Sequence, residues 1–124
     1  MFWRLVLVAL GGALGAVARY TVSFLFGRAW PAFPWGTLVV NVVGSFLLGL
    51  LMGATASGRF LLDPAWRSFL GIGILGAFTT FSTLSYETVE AVRGGSPMHA
   101  LGMVLANLVL GLLFCWIGLF LGER

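Results

Sequence analysis

Apolar residues run along this chain in four long blocks, separated by three short stretches that hold Pro31, Pro34, Pro64 and Pro97. A helix needs about 20 mostly apolar residues to cross a hydrocarbon core. Residues 5–26, 37–56, 68–92 and 98–121 each meet that length. The first block is interrupted by Arg19, the second is uncharged, and the third is uncharged until Glu87. A membrane β-barrel strand is about ten residues of alternating character. These runs are too long and too uniformly apolar for that, so the pattern predicts four transmembrane helices. The connections are turn-like: Pro31 and Pro34 in 27–36, Gly58, Asp63 and Pro64 in 57–66, and Gly94-Gly95 in 93–97. They leave no room for a soluble domain. The expected fold class is an all-α membrane protein with residues 1–124 as a single membrane domain.

Composition agrees. Hydrophobic residues make up 60% of the chain and charged residues only 9%, against roughly a quarter in soluble domains. Most of the surface must therefore meet lipid. The net charge of +3 is small and dispersed, which excludes a nucleic-acid patch. Cys115 stands alone in an apolar run and reads as a buried, inert thiol. Arg4 and the apolar run after it superficially match a secretory signal. The apolar character continues to Phe26, so the expectation is a first membrane helix.

Four crossings place both termini on one side. That side carries Arg4, Arg59, Arg67 and Arg124; the other carries Arg28 and Arg93, with Arg19 if it snorkels outward. So weak a bias under the positive-inside rule permits insertion both ways. Two oppositely inserted copies would pair about a two-fold axis in the membrane plane. Pairs four apart, namely Gly11 and Gly15, Ser45 and Gly49, Gly49 and Gly53, Gly118 and Gly122, let helix backbones approach closely. They serve either packing within one chain or assembly between chains.

The third block carries the candidate chemistry. Gly71, Gly73 and Gly76 lead into Ala77-Phe78-Thr79-Thr80-Phe81-Ser82-Thr83-Leu84-Ser85. Glycine and β-branched threonine weaken a helix. Either the helix continues with its hydroxyls bonded to the preceding turn, or it breaks and exposes carbonyls near the midplane. A break at that depth survives only inside protein or beside a cavity or ion, and free carbonyls suit a hard cation. Thr80, Thr83, Glu87 and Glu90 recur on one helical face, either as a vestibule wall or as residues that have reached the interface. Asn41 lies in the uncharged second block with Thr37 one turn away; it either glues helices or offers amide donors to a ligand. Arg19 is either a snorkelling end or a buried cation beside an anion route. Asn107 lies deep in the fourth block, and His99 opens it. There is no Ser–His–Asp set, metal-ligand spacing or phosphate loop, so no enzyme is expected.

Asn41 within Gly36-Thr37…Asn41…Gly44-Ser45, followed by Gly76-Ala77-Phe78-Thr79-Thr80-Phe81-Ser82-Thr83, resembles the signature pair of the Fluc/CrcB fluoride channels. Arg19-Tyr20 after a glycine-rich first helix, and Glu87 after the hydroxyl run, fit the same pattern. The resemblance implies an antiparallel, dual-topology dimer with a third helix broken near the midplane, two fluoride pores and a central structural sodium ion. It places the sodium-binding carbonyls at Gly76 and Thr79. It gives Asn41 an amide bond to fluoride, Phe81 a ring edge turned to the ion, and Ser82 and Thr83 hydroxyl donors. Arg19, Thr37 and Glu87 belong to the vestibule.

Two positions depart from the family. Leu84 stands where a second pore phenylalanine is usual. Met103 and Asn107 stand where the fourth helix carries tyrosine and serine; Asn107 keeps a donor for the pore and Met103 does not. Either a homodimer or a heterodimer with a homologous subunit follows. The implied activity is passive fluoride export across the inner (plasma) membrane, which confers fluoride resistance. The rivals are a small multidrug-type proton-coupled transporter and a holin-like structural protein. The first needs an acid deep in its first helix, where this chain has Arg19. The second gains little from Asn41 and the hydroxyl stripe.

Overall fold

The structure, a computed structural model, describes residues 1–124. It is all-helical. Helix α1 (Phe2–Ala29) and α2 (Trp35–Ala56) are continuous. The third crossing, Pro64–Arg93, is composite. It opens with α3 (Pro64–Arg67), widens into a π-helical stretch (Ser68–Leu75), continues as α4 (Gly76–Phe78), breaks, and resumes as α5 (Phe81–Arg93). Helix α6 (Pro97–Glu123) completes the bundle. All four crossings are long and apolar enough to span a membrane.

Each crossing extends beyond its hydropathic block. Hydropathy marks the part that meets hydrocarbon, whereas the helix continues into the interface through residues such as Trp3, Arg4 and Trp35. The ends carry local stop signals. Asp63 caps α3 by accepting from the Ala65 N–H at 2.8 Å, with Pro64 at the first helical position. Between α5 and α6, Gly95 adopts φ +83°, a left-handed turn conformation that side chains disfavour.

Two close helix pairs organise the bundle. Helices α2 and α6 run in the same direction and pack along their glycines: Gly49 and Gly53 lie against the Cys115 and Leu119 carbonyls, and Gly118 and Gly122 against those of Phe46 and Leu50. Helix α1 packs through Gly11 and Gly15 on the π-helical stretch, where Gly73 meets the Gly11 backbone. These small-residue pairs thus serve packing within the chain. Gly71 and Gly73, in the run that suggested a weakened helix, lie in helical backbone; Gly73 makes this contact and Gly71 faces the Leu48, Leu51 and Met52 side chains of α2. The actual interruption is shorter and later, at Thr79 and Thr80.

The outer surface is overwhelmingly apolar, with only 20 of 124 residues buried. That inverts the soluble pattern and fits a chain solvated by lipid and by other protein.

Candidate ion pathway

The pathway is built around the break in the third crossing. Thr79 (φ −82°, ψ 155°) and Thr80 (φ −150°, ψ 114°) are extended. Helix α5 restarts on Thr80, whose side-chain oxygen accepts from the Thr83 N–H at 3.1 Å. The Thr80 N–H is turned to Asn41 and the Thr83 N–H to Thr80 Oγ1, so the carbonyls of Gly76 and Thr79 lose their usual helical partners. Gly76 is exposed on the bundle surface.

Asn41, about two turns into α2, holds the break. Its Oδ1 accepts from the Thr80 N–H at 2.8 Å, and its Nδ2 donates to the Thr80 carbonyl at 3.1 Å. The second Nδ2 hydrogen goes to Asn107 Oδ1 on α6 at 2.9 Å. Asn107 Nδ2 in turn donates to the Met103 carbonyl at 2.9 Å. A primary amide has two N–H donors. Both of those of Asn41 are engaged on protein oxygens, whereas Asn107 keeps one.

A second rung lies one helical turn away on α2. Thr37, 3% exposed, donates its hydroxyl to Glu87 Oε1 at 3.0 Å. Glu87 Oε2 is buried and has no hydrogen-bond partner. Between the rungs, Thr80 donates to Thr83 Oγ1 at 3.0 Å and lies 3.3 Å from Ser82 Oγ. A hydroxyl that accepts still has its own proton to give, so Thr83 retains a donor. A polar ladder thus runs between α2 and α5 through an apolar bundle.

Two cavities flank the ladder. A groove of about 420 Å³ is lined by Asn41, Thr80, Phe81, Leu84 and Asn107, and extends past Ser45 to Cys115. A cleft of about 370 Å³ lies toward the α1–α2 connection, lined by Pro31, Phe33, Tyr86, Glu87, Glu90, His99 and Met103.

The structure gathers Asn41, Phe81, Leu84 and Asn107 at the groove. Ser82 is exposed beside the break. Leu84 is buried, at 9% exposure, while Phe81 projects from the surface at 82%. Gly76 and Thr79 carry the carbonyls that lost their helical donors. Thr37 and Glu87 form one unit. Arg19, half-buried on α1, forms no ion pair with Glu87; the one ion pair is Arg93 with Glu90 at 3.1 Å.

Two features escaped the sequence reading. Thr80 is the hub of the break, and its signal was the cap pattern Thr80-x-x-Thr83. The ring of His99 packs on Phe33 at 5.3 Å between centroids, tying α6 to the α1–α2 connection; no local pattern announces that pairing.

The model of the CrcB-like protein, Camphor Resistance (CrcB) family matches residues 6–119. The chain belongs to this family. It is therefore a multi-pass membrane protein, consistent with its four crossings. It is similar to proteins named fluoride-specific ion channel FluC from several bacteria. Identity to that of Acidobacterium capsulatum is 45%, covering 94% of each chain. For Opitutus terrae it is 48%, covering 90% of this chain and 86% of the relative. For Thermus thermophilus it is 47%, covering 96% and 93%.

Proposed function

We propose that this chain is a subunit of a passive, fluoride-selective channel that lets cytoplasmic fluoride leave across the plasma membrane. The observation that carries the reading is the hydrogen-bond ladder from Thr37 and Glu87 to Thr80, Asn41 and Asn107, set within a lipid-facing bundle. Fluoride is a small anion that accepts strong hydrogen bonds. Its hydration shell is replaced by N–H and O–H donors, and several sites in line let the ion leave as well as enter. Asn107, Ser82 and Thr83 supply such donors near the groove. The relatives' names support the choice of ion.

One copy does not complete the site. Phe81 is exposed beside the break, and the carbonyls of Gly76 and Thr79 have lost their helical donors to Asn41 and Thr80. Unpaired backbone at membrane depth is costly unless protein, water or an ion satisfies it. An antiparallel second copy satisfies both needs. It covers Phe81 and brings a second set of carbonyls, so that Gly76 and Thr79 of two copies give about four oxygens, ligands suited to a hard cation. These carbonyls fit a structural sodium ion, whose positive charge would fix the two breaks against each other. A homodimer is the simplest assembly, and a homologous partner is the alternative.

The test is efflux from liposomes that contain only this chain. Fluoride release measured by electrode, with chloride retained, is the expected result. Absence of fluoride release from correctly assembled protein rejects the reading.

A further inference from the structure

Met103 is among the most buried side chains in the molecule, at 1% exposure, yet it belongs to a stripe that lines both cavities. His99 and Met103 face the cleft, and Asn107, one turn further along α6, faces the groove. Helices α2 and α6 run in register: Asn41 bonds to Asn107, and Gly111 lies beside Ser45, both pairs offset by the same number of positions. Continued one turn back, that register places Met103 level with Thr37, and hence with the Thr37–Glu87 rung.

We propose that Met103 is the constriction of the ion route, an apolar plug that sets how fast and which anions pass between cleft and groove. The proposal rests on the reading of the chain as a fluoride channel. On the groove side of the ladder an anion meets donors: the spare N–H of Asn107 and the hydroxyls of Ser82 and Thr83 nearby. At the next level, Thr37, Glu87 and Met103 offer it none. The Thr37 hydroxyl is engaged on Glu87 Oε1. The other carboxylate oxygen is buried without a partner, and a thioether sulfur can only accept, weakly. An ion that crosses this level is stripped of water and given nothing in return, so this level carries the highest barrier. The unbranched, flexible methionine side chain adapts its shape readily, which lets the plug be displaced rather than seal permanently.

The test uses the full chain in liposomes, with fluoride and chloride efflux measured separately. Met103→Gln keeps an unbranched chain of similar length and adds N–H donors at the barrier. Fluoride efflux should rise several-fold with chloride still retained. Met103→Ala removes the plug and joins the cavities; fluoride efflux should rise and chloride should leak. Gly102→Ala, where an added methyl meets nothing within 4 Å, should match wild type. Unchanged or reduced fluoride efflux in Met103→Gln, in protein that elutes like wild type, overturns the proposal. Loss of assembly in both Met103 variants assigns the residue to packing and overturns it equally. Wild-type protein that releases no fluoride rejects the channel reading itself, a result distinct from either.

Discussion

Asn41 pairs with Thr80 as one strand residue pairs with another, its amide accepting from the threonine N–H and donating to the threonine carbonyl. A side chain thereby replaces the backbone partners that a helix break removes. A carboxamide offers donor and acceptor side by side in one plane, as a peptide group does. It explains why a polar residue sits in an otherwise uncharged span.

Asn41→Asp should abolish fluoride efflux. The carboxylate still accepts from Thr80 N–H, but it now confronts the Thr80 carbonyl and Asn107 Oδ1 with no hydrogen between them. Each buried acceptor left unpaired costs about 1–3 kcal/mol, and the new negative charge repels an anion in low dielectric. The checks are liposome efflux and thermal stability in detergent. Wild-type efflux in this variant would remove Asn41 from any role in the pathway.

Thr80→Val keeps the branched shape and removes the hydroxyl that caps α5 and binds Thr83. Loss of such a cap costs about 0.5–2 kcal/mol. The melting temperature should fall and efflux should drop, while Thr80→Ser should restore both. Failure of Ser to rescue would mean that the methyl group, and not the cap, matters at this position.

The four crossings were legible because length and hydropathy suffice to mark a membrane span. Their ends were not, since helices such as α1 continue into the interface past Trp3 and Arg4. The broken third crossing was legible as a glycine- and hydroxyl-rich run. Its position was less so: Gly76 to Phe78 remain helical, and the break forms at Thr79–Thr80 because Asn41 reaches it from another helix. The role of Gly73 depends on α1 and that of Gly71 on α2, and neither propensity nor spacing reveals those partners. Asn41 and Asn107 were visible as isolated amides, but which oxygens they bind is a property of helix register. Met103 was visible only through the family resemblance, as a residue without a donor; its burial at the level of Thr37 is a property of helix register.

Gly49→Ala should destabilise the bundle. An added methyl meets the Cys115 carbonyl of α6, a backbone atom that cannot move aside cheaply, and overpacking of this kind costs about 1–3 kcal/mol. Gly12→Ala, with nothing within 4 Å of the new methyl, should be neutral or slightly stabilising, since alanine is favoured over glycine in a helix by about 1 kcal/mol. Thermal melts in detergent compare the two. Equal stability would show that α2 and α6 are not held at the spacing described.

Leu84→Phe adds a ring at a buried position that lines the groove beside Asn41 and Asn107. Fluoride efflux should change, because the positive edge of the ring enters space from which an anion draws its contacts. Packing strain of about 1–3 kcal/mol accompanies the larger side chain. A variant with altered stability and unaltered efflux would take Leu84 out of the pathway and leave it in the core.

The assembly prediction follows from charge and from the unfinished surface at the break. Arg4, Arg59, Arg67 and Arg124 on one side against Arg28, Arg93 and an outward Arg19 on the other give little directional bias. The prediction is that copies inserted both ways meet at exposed Phe81 and at the carbonyls of Gly76 and Thr79. Only a two-fold partner places two such breaks opposite each other, and a hard cation satisfies oxygens that have lost their helical donors. Ser96 is exposed in the α5–α6 connection, and Cys115 is half-buried beside the groove. Ser96→Cys in a Cys115→Ser background should react with a membrane-impermeant thiol reagent in part from outside and fully once both faces are reached. Purified protein should lose dimer stability when sodium is replaced by a larger monovalent cation. Labelling from one side alone would reject a dual-topology homodimer and require an oppositely inserted homologous partner. Indifference to sodium would leave the carbonyls of Gly76 and Thr79 to water or to the partner's donors.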